Sequence, residues 1–349
     1  MTATIPAAVE TARDCVGPAM AAAVNRLSPD IREVAAYHLG LPGTDGSQPA
    51  SGTRAGGGAR VGGSGKALRP ALALLSAQAA GAAPERAVPA AVAVELVHNF
   101  SLLHDDIMDG DTERRHRPTA WTVYGVGAAI LAGDTLLALA QDLLLESPPP
   151  EGVWASRCLS AAVQRLIAGQ GADLAFERRS DVTIAECLDM AGDKTAALMA
   201  CACSIGAVYV GGPASIAKSL GGFGAYAGLA FQLTDDLLGI WGLPEVTGKP
   251  VRSDLRARMK SLPVVAALTS GTEAGRELGE LLAKPEPLSE DELLHAAGLV
   301  ETAGGKEWAQ AKVDSALASA ATHLTEADMP VEVRAEFEAI AEFLTARQW

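Results

Sequence analysis

An all-α fold is the structural class that the sequence predicts, and three observations support it. Hydrophobic residues make up 49% of the 349 residues, with Ala and Leu the dominant ones, whereas aromatic residues make up only 4%. Apolar residues recur at helical spacing along most of the chain. Segments rich in Val, Ile and Tyr, which are typical of strands, are not evident. We therefore expect helices that contact one another through small side chains.

The helices are predicted in chain order from this periodicity. Residues 6–40 indicate one amphipathic helix, whereas the glycine-rich stretch 43–65 predicts a flexible loop. A helix at 71–83 follows, and residues 87–109 indicate another that ends in acidic residues. The remaining helices are predicted at 119–145, 151–168, 170–178, 183–191, 193–210, 214–240, 261–270, 273–283, 289–300, 305–323 and 330–347.

Net charge and cysteine content exclude several classes of protein. The formal net charge of −14 argues against a nucleic-acid-binding surface, which is normally basic. The five cysteines form no CxxC pair, so we interpret them as free thiols in a reducing compartment. The N-terminus shows no signal-peptide pattern, and the longest apolar run, 128–145, is interrupted by Asp134 and Asp142. We therefore expect a cytoplasmic protein without a transmembrane segment.

One helix face carries three acidic residues in the segment SLLHDDIMDGDTERRHRPT. Asp105 and Asp109 are one turn apart, and Asp106 lies on the same side. Like charges at this spacing repel, so we expect a cation beside them. Mg²⁺ typically binds one or two carboxylates and completes its octahedron with water and phosphate oxygens. Arg114 and Arg115 follow closely, and guanidinium groups suit phosphate oxygens. The segment therefore predicts a metal-bridged diphosphate.

A second acidic helix end repeats this arrangement about 130 residues later. Asp235 and Asp236 stand near the end of an apolar helix in FQLTDDLLG, and a glycine-containing loop with Lys249 follows them. A single acidic cluster is most simply a solvated helix end. The repetition favours a site in which two acidic segments act together.

Cations stand at two other predicted helix starts. Lys66 and Arg69 follow the glycine-rich stretch, where backbone N–H groups and two cations could bind an anion. Lys194 opens a helix together with Thr195, and its charge opposes the helix dipole unless an anion lies close by. His98, taken alone, is most simply a helix histidine with satisfied hydrogen bonds.

With both acidic segments in place, the chain resembles the trans-isoprenyl diphosphate synthases of the polyprenyl synthetase family. The resemblance implies an isoprenoid synthase fold, with antiparallel helices around a deep central cavity, usually in a homodimer. It implies one domain over 1–349, with 43–65 as a loop within it. The matching segments, in the family's order, are GKALRP, ELVHNFSLLHDDIMD with RRHRPT, ILAGD, GQGADL, KTAAL, FQLTDDLLG and GKPVRSDLRARMKSLP.

The resemblance also implies roles at individual positions. The metal ligands would be Asp105, Asp106, Asp109, Asp235 and Asp236, holding roughly two or three Mg²⁺ ions bridged by substrate diphosphate. Positions that match contacts to the allylic diphosphate are Arg114, Lys194, Gln232 and Lys249, which complete the catalytic set, and Thr195 joins them as a substrate-binding residue. Positions that match the pocket for isopentenyl diphosphate are Lys66, Arg69, His98 and Arg115.

The implied reaction is Mg²⁺-dependent elongation of an allylic diphosphate with isopentenyl diphosphate. Phe100 and Ser101 lie about one turn before Asp105, where they would form the upper wall of the cavity that limits product length. By resemblance, one aromatic residue at this place without an insertion in the motif favours geranylgeranyl diphosphate (C20) over farnesyl diphosphate. Phe100 could equally be plain core.

Gly239 stands where the second acidic motif normally ends in a third aspartate, and this departure keeps two alternatives open. One is a class I terpene cyclase, which shares the helical architecture but would lack the isopentenyl pocket. The other is a non-catalytic subunit that binds and modulates an active synthase. The stretch 43–65 could also tether a partner, although plain disorder is the simpler interpretation.

Overall fold

The computed structural model describes residues 5–41, 67–115, 117–148, 150–243 and 251–345. The predicted all-α fold is confirmed, since the described residues contain only one pair of two-residue strands, β1 (Glu113–Arg114) and β2 (Arg117–Pro118), which are antiparallel. The helices are α1 (Ala7–Val24), α2 (Pro29–Leu39), α3 (Leu68–Ala79), α4 (Val88–Met108), α5 (Ala120–Tyr124), α6 (Val126–Leu145), α7 (Glu151–Phe176), α8 (Ile184–Ala191), α9 (Ala197–Tyr209), α10 (Ala214–Trp241), α11 (Ser253–Arg256), α12 (Leu262–Leu268), α13 (Glu273–Leu282), α14 (Glu290–Thr302), α15 (Gly305–Glu326) and α16 (Val331–Thr345). A 3₁₀ turn, Pro84–Ala87, precedes α4, and a π-helical turn, Gly192–Ala196, joins α8 to α9.

Two predicted helices are each divided in the structure. The helix predicted over 6–40 is two helices, because α2 starts anew with Pro29 at its first position, where proline needs no hydrogen-bond partner. The helix predicted over 119–145 is divided at Gly125, whose φ of +88° is a conformation that other residues rarely adopt.

One predicted break does not exist. The helices predicted at 151–168 and 170–178 form the single helix α7, and Gly169 lies inside it. A Cβ at Gly169 would come within 3.0 Å of the backbone of Lys194, so the missing side chain lets the π-helical turn approach α7. This glycine therefore serves close packing rather than a helix end.

The helices that end in the acidic segments are core helices. α4 packs along α3 and α6, and α10 packs along α9 and α15. Small residues allow the close approach that the composition predicts, since a Cβ at Gly224 or Gly228 would come within 3.0 Å of α9 or the turn before it. The buried side chains Phe223 and Phe337 meet edge to face at 5.4 Å, in the largest core cluster. Burial of each such ring stabilises the fold by roughly 1.5–3 kcal/mol.

Two described helical stretches are long and apolar enough to cross a membrane by length and composition alone. The first is Pro84–Met108, and 72% of its most apolar 18 residues are buried inside the protein. The second is Val126–Leu145, and 44% of its most apolar 18 residues are buried. The first stretch is therefore a core helix. The expected absence of a transmembrane segment and the cytoplasmic location stay predictions, as does the single domain over 1–349.

Several predicted features fall outside the described residues. These are the glycine-rich loop 43–65 and the site residues Lys66 and Lys249.

Candidate active site

The first acidic segment forms the C-terminal end of α4. Asp106 is 1% exposed, and its Oδ1 accepts a hydrogen bond of 2.6 Å from Nε of Arg114. The β1–β2 hairpin makes this contact possible because it folds back toward α4. Oδ2 of Asp106 is buried and has no hydrogen-bond partner among the described residues. A buried carboxylate oxygen in this situation is costly unless a cation or water binds it.

Burial, with a smaller contribution from crowding, changes the ionisation of the three carboxylates. Burial raises the pKa of Asp105 to about 6, and repulsion from Asp109 and Asp106 adds to this rise, while Lys194 and Arg114 oppose it. Burial likewise raises the pKa of Asp106 against the attraction of Arg114. Asp109 is exposed at the helix end, and its pKa is raised by desolvation. These carboxylates would gain from a bound cation.

The π-helical turn before α9 supplies a cation to this cluster. Nζ of Lys194 donates a hydrogen bond of 2.5 Å to Oδ2 of Asp173 on α7. Burial works to lower the pKa of Lys194, but attraction to Asp173, Asp105 and Asp109 outweighs it and raises that pKa. The anion that the sequence required beside Lys194 is therefore Asp173, one turn after Gln170 on α7.

The second acidic segment is held by neutral donors. Asp236 is 8% exposed, and its two oxygens accept hydrogen bonds of 2.8 Å from Nε2 of Gln232 and from the backbone N–H of Leu262. The hydroxyl of Thr195 donates to Oε1 of Gln232 at 2.7 Å. Burial, followed by repulsion from Asp254, raises the pKa of Asp236 to about 7, although both hydrogen bonds oppose the rise.

A partly buried, mostly cationic cluster lies where the isopentenyl pocket was predicted. Burial lowers the pKa of Arg69, while attraction from Glu95 and then from Asp235 opposes this effect. Burial also lowers the pKa of His98 well below its usual value, and Arg69 and Arg115 add to that shift, so His98 is neutral at physiological pH. Nε of Arg69 is buried without a hydrogen-bond partner among the described residues. The unpartnered N–H of Arg69, surrounded by other cationic side chains, is suited to donate a hydrogen bond to an anionic ligand.

Sequence reasoning missed three members of this cluster. Glu95 and Asn99 lie one turn apart on α4, and Nδ2 of Asn99 donates to the backbone oxygen of Glu95 at 2.8 Å. Their helical spacing toward Asp106 was a signal that could have found them. His38 on α2 carried no local signal. Burial, with repulsion from Arg114 and Arg115, lowers its pKa to about 3.

The residues predicted to control product length lie in the core beside the first acidic segment. Phe100 is 6% exposed, and its ring meets that of His104 edge to face at 4.9 Å. Ser101 is 8% exposed, and its hydroxyl donates to the backbone oxygen of His98. His104 fills the space beside Gly133 on α6, where a Cβ would come within 3.0 Å of the ring. Phe100, His104 and α6 are thus one packed unit, and sequence reasoning missed His104.

The donors at the two acidic segments have the right chemistry for a hard divalent ion. Carboxylate oxygens are the protein ligands that Mg²⁺ prefers, and the buried, unpartnered Oδ2 of Asp106 is suited to such an ion. Within the described ranges, no three His, Cys, Asp or Glu side chains are grouped closely enough to form a metal site by themselves.

Comparisons with known proteins agree over nearly the whole chain. The family model described as Polyprenyl synthetase matches residues 59–300. The chain is 45% identical over 340 residues to the (2E,6E)-farnesyl diphosphate synthase of Mycobacterium tuberculosis, covering 97% of this chain and 92% of that protein. It is 42% identical over 322 residues to the geranylgeranyl diphosphate synthase of the same organism, covering 92% and 89%. The crystal structure of polyprenyl synthetase from Streptomyces coelicolor A3(2) matches with a TM-score of 0.88 at 49% identity, covering 98% of this chain and 99% of that chain.

Proposed function

The chain belongs to the polyprenyl synthetase family, and on that premise we propose that it elongates an allylic diphosphate with isopentenyl diphosphate to geranylgeranyl diphosphate. The observation that carries the proposal is the link between the two acidic segments. Lys194 attracts Asp105 and Asp109 of the first segment, while its neighbour Thr195 is hydrogen-bonded through Gln232 to Asp236 of the second. These contacts of the π-helical turn with both acidic ends support the proposal that the two ends act in one site.

The reaction begins when the C–O bond of the allylic diphosphate breaks and its electron pair leaves with the diphosphate. The double bond of isopentenyl diphosphate then attacks the allylic cation, and a proton is lost to restore a double bond. Mg²⁺, when bound, neutralises negative charge on the departing diphosphate. The residues proposed to hold it are Asp105, Asp106, Asp109, Asp235 and Asp236.

Fixed cations of the chain act on the same leaving group. Lys194 stays charged because its pKa is raised, so it can donate to a diphosphate oxygen as negative charge develops there. Arg114 uses Nε for Asp106, and its terminal nitrogens, one of which lies 4.0 Å from Asp111, can donate to phosphate. Gln232 and Thr195 position Asp236, and Lys249 completes the set by resemblance. The apolar core around Phe100 keeps water away from the cation.

We place the diphosphate of isopentenyl diphosphate in this partly buried cationic cluster. Arg69 and Arg115 supply positive charge there, and neutral His98 can donate a hydrogen bond without adding a further buried charge. Glu95 attracts Arg69 and limits the repulsion between the cations before the substrate enters. Lys66 joins this pocket by resemblance.

The decisive experiment is incubation of the purified protein with Mg²⁺, isopentenyl diphosphate and each allylic starter in turn, followed by mass analysis of the products. We expect a C20 diphosphate. A C15 diphosphate as the end product would assign the chain to farnesyl diphosphate synthesis. A cyclic hydrocarbon formed without isopentenyl diphosphate would make it a terpene cyclase, and an absence of turnover would favour the modulating subunit.

Product length is tested at Phe100. Phe100→Ala opens the cavity wall beside His104, so we expect products longer by at least one isoprene unit. Ser101→Phe narrows the same wall and should shorten the product. An unchanged product distribution in both variants would assign Phe100 to core packing alone.

We further propose that the enzyme is a homodimer that uses the outer face of α6 and α7. Large apolar side chains are exposed along these adjacent helices, among them Leu131 at 57%, Trp154 at 53% and Ile167 at 51%. The apolar window of α6 is less than half buried within one chain. Exposed apolar surface of this extent is typical of an interaction site, and a second copy offers the same surface.

Sedimentation velocity tests the dimer. Leu131→Glu places a charge on the α6 face, so we expect it to shift the protein from dimer to monomer. Leu294→Glu on α14 is a matched control, because Leu294 is 58% exposed on a different helix. A wild-type monomer, or equal dissociation of both variants, would contradict this interface.

A further inference from the structure

Three contacts of Tyr37, near the end of α2, hold the β1–β2 hairpin. The Tyr37 hydroxyl donates to the backbone oxygen of Pro118 at 2.9 Å. Nη2 of Arg117 donates to the backbone oxygen of Tyr37 at 3.2 Å. The guanidinium carbon of Arg117 lies 4.5 Å from the centre of the Tyr37 ring. We call these three contacts the Tyr37 clasp, and all of them are made to β2, the second strand of the hairpin.

The two arginines on the other side of the hairpin are held in different ways. Arg114 lies in β1 opposite Arg117, and its Nε is bonded directly to Asp106 of α4. Arg115 follows β1 with φ +52°, a left-handed conformation that is strained for a residue other than glycine. Such a conformation persists only where the surrounding structure holds it. The position of Arg115 therefore depends on how the hairpin is anchored on both sides of its turn.

The end of α2 also reaches the cationic cluster. The charge of Arg115 belongs to this cluster, because after burial and Arg69 it contributes to the lowered pKa of His98. His38, the residue after Tyr37, has a side-chain hydrogen bond with Asn99 of α4. The end of α2 therefore contacts both elements that supply the cluster, which are α4 and the hairpin.

We infer that Tyr37 is a positioning residue, which anchors β2 and thereby holds Arg115 where it can bind the diphosphate of isopentenyl diphosphate. This inference rests on the proposed function, which places that substrate beside Arg115, and it adds a residue that acts on the substrate through another. Arg114 depends less on the clasp, because Asp106 binds it directly. The clasp should therefore control the affinity for isopentenyl diphosphate and leave that for the allylic diphosphate unchanged.

Steady-state kinetics separates the two substrates. Tyr37→Phe removes the donor to Pro118 and keeps the ring, so we expect the KM for isopentenyl diphosphate to rise about 3–10-fold. Tyr37→Leu also removes the ring beside Arg117, and we expect a further rise of about 2–5-fold. The kcat and the KM for the allylic diphosphate should stay within about twofold of the wild-type values. Equal rises in both KM values would show a general structural role and overturn the inference.

Tyr124→Phe is the matched control. The Tyr124 ring meets that of Tyr37 edge to face at 5.3 Å, and the Tyr124 side chain is hydrogen-bonded to Glu33 of α2. This variant therefore removes a hydroxyl from the same place but leaves the clasp intact, and both KM values should stay unchanged. A rise equal to that of Tyr37→Phe would overturn the inference. Circular dichroism checks folding, and Tyr37→Phe carries the test if Tyr37→Leu does not fold.

A double-mutant cycle tests whether Tyr37 acts through Arg115. Isothermal titration calorimetry measures the binding of isopentenyl diphosphate, without turnover, to the wild type, Tyr37→Phe, Arg115→Gln and the double variant. We expect the double variant to bind as Arg115→Gln does, whereas losses that add would overturn the action through Arg115. Unchanged binding in Tyr37→Phe would overturn this inference alone. A wild type that does not bind isopentenyl diphosphate would overturn the proposed function and this inference with it.

Discussion

The two acidic segments share an Asp–Asp pair at a helix end, yet the protein stabilises them in different ways. The carboxylates of the first segment come from α4 alone and lie among the chain's own cations, with Arg114 bound to Asp106 and Lys194 attracting Asp105. At the second segment, Asp236 is fixed by two neutral donors and faces another carboxylate. Cations of the chain therefore offset part of the charge of the first segment, whereas Asp236 of the second is held by uncharged hydrogen-bond donors.

The largest effect is expected at the first site. Asp105→Ala removes a half-buried carboxylate that is proposed to bind the metal, so we expect kcat to fall on the order of 10²–10³-fold. The fold should change little, because burial already disfavours the charged form of Asp105. Turnover and circular dichroism measure the two effects. Asp111→Ala is the control, since Asp111 is 46% exposed just after the end of α4. Equal activity of both variants would contradict the metal-binding role of Asp105.

At the second acidic segment, we expect the ionised carboxylate of Asp236 to lower the free energy of unfolding when no metal is bound. The folded pKa of Asp236, about 7, lies above its ordinary value of 3.8, so the folded state binds a proton that the unfolded state releases. This contribution to stability is present at low pH and is lost as the pH rises from about 4 through 7. At pH 8 without metal, Asp236→Asn should therefore raise the free energy of unfolding by about 1–3 kcal/mol.

Urea unfolding with a chelator at pH 5 and pH 8 measures this difference. Asp109→Asn is the matched variant in the first site, and because Asp109 is exposed we expect a smaller change. An equal increase in the free energy of unfolding in both variants would contradict the proposed difference between the two acidic segments.

A smaller effect is expected on the pH dependence at the first site. Lys194 holds the pKa of Asp105 down, so Lys194→Gln should raise that pKa above about 6. The acid limb of kcat/KM should then move to higher pH by about one unit, because Mg²⁺ competes with the proton for the carboxylate. Thr195→Val changes the next residue without altering charge and should leave the limb in place. An unmoved limb in Lys194→Gln would show that Lys194 does not tune Asp105.

The smallest effect is expected from the hydrogen bond that links the two sites. Thr195→Val removes the donor to Gln232, which costs about 0.5–1.5 kcal/mol and corresponds to a few-fold loss in kcat/KM. Steady-state kinetics at saturating Mg²⁺ measures it. A loss as large as that of Asp105→Ala would mean that Thr195 contacts the substrate directly.

The sequence by itself determined the helical class, the ends of α4 and α10, and the acidic and basic segments. These features depend on residues three or four positions apart, and such spacing is visible in the printed chain. Pro29 was also a local signal for the helix start at α2, although the continuous apolar periodicity of 6–40 led to the prediction of one helix.

Only the tertiary structure decided which charges face one another. His38 joins the cluster on α4 from a distant helix, Asp173 on α7 is the anion beside Lys194, and Asp254 stands in the space beside Gly239. Burial and through-space Coulomb interactions set the pKa values near 6 for Asp105 and near 7 for Asp236. Both depend on neighbours that the packing of helices brings together, and sequence distance carries no information about them.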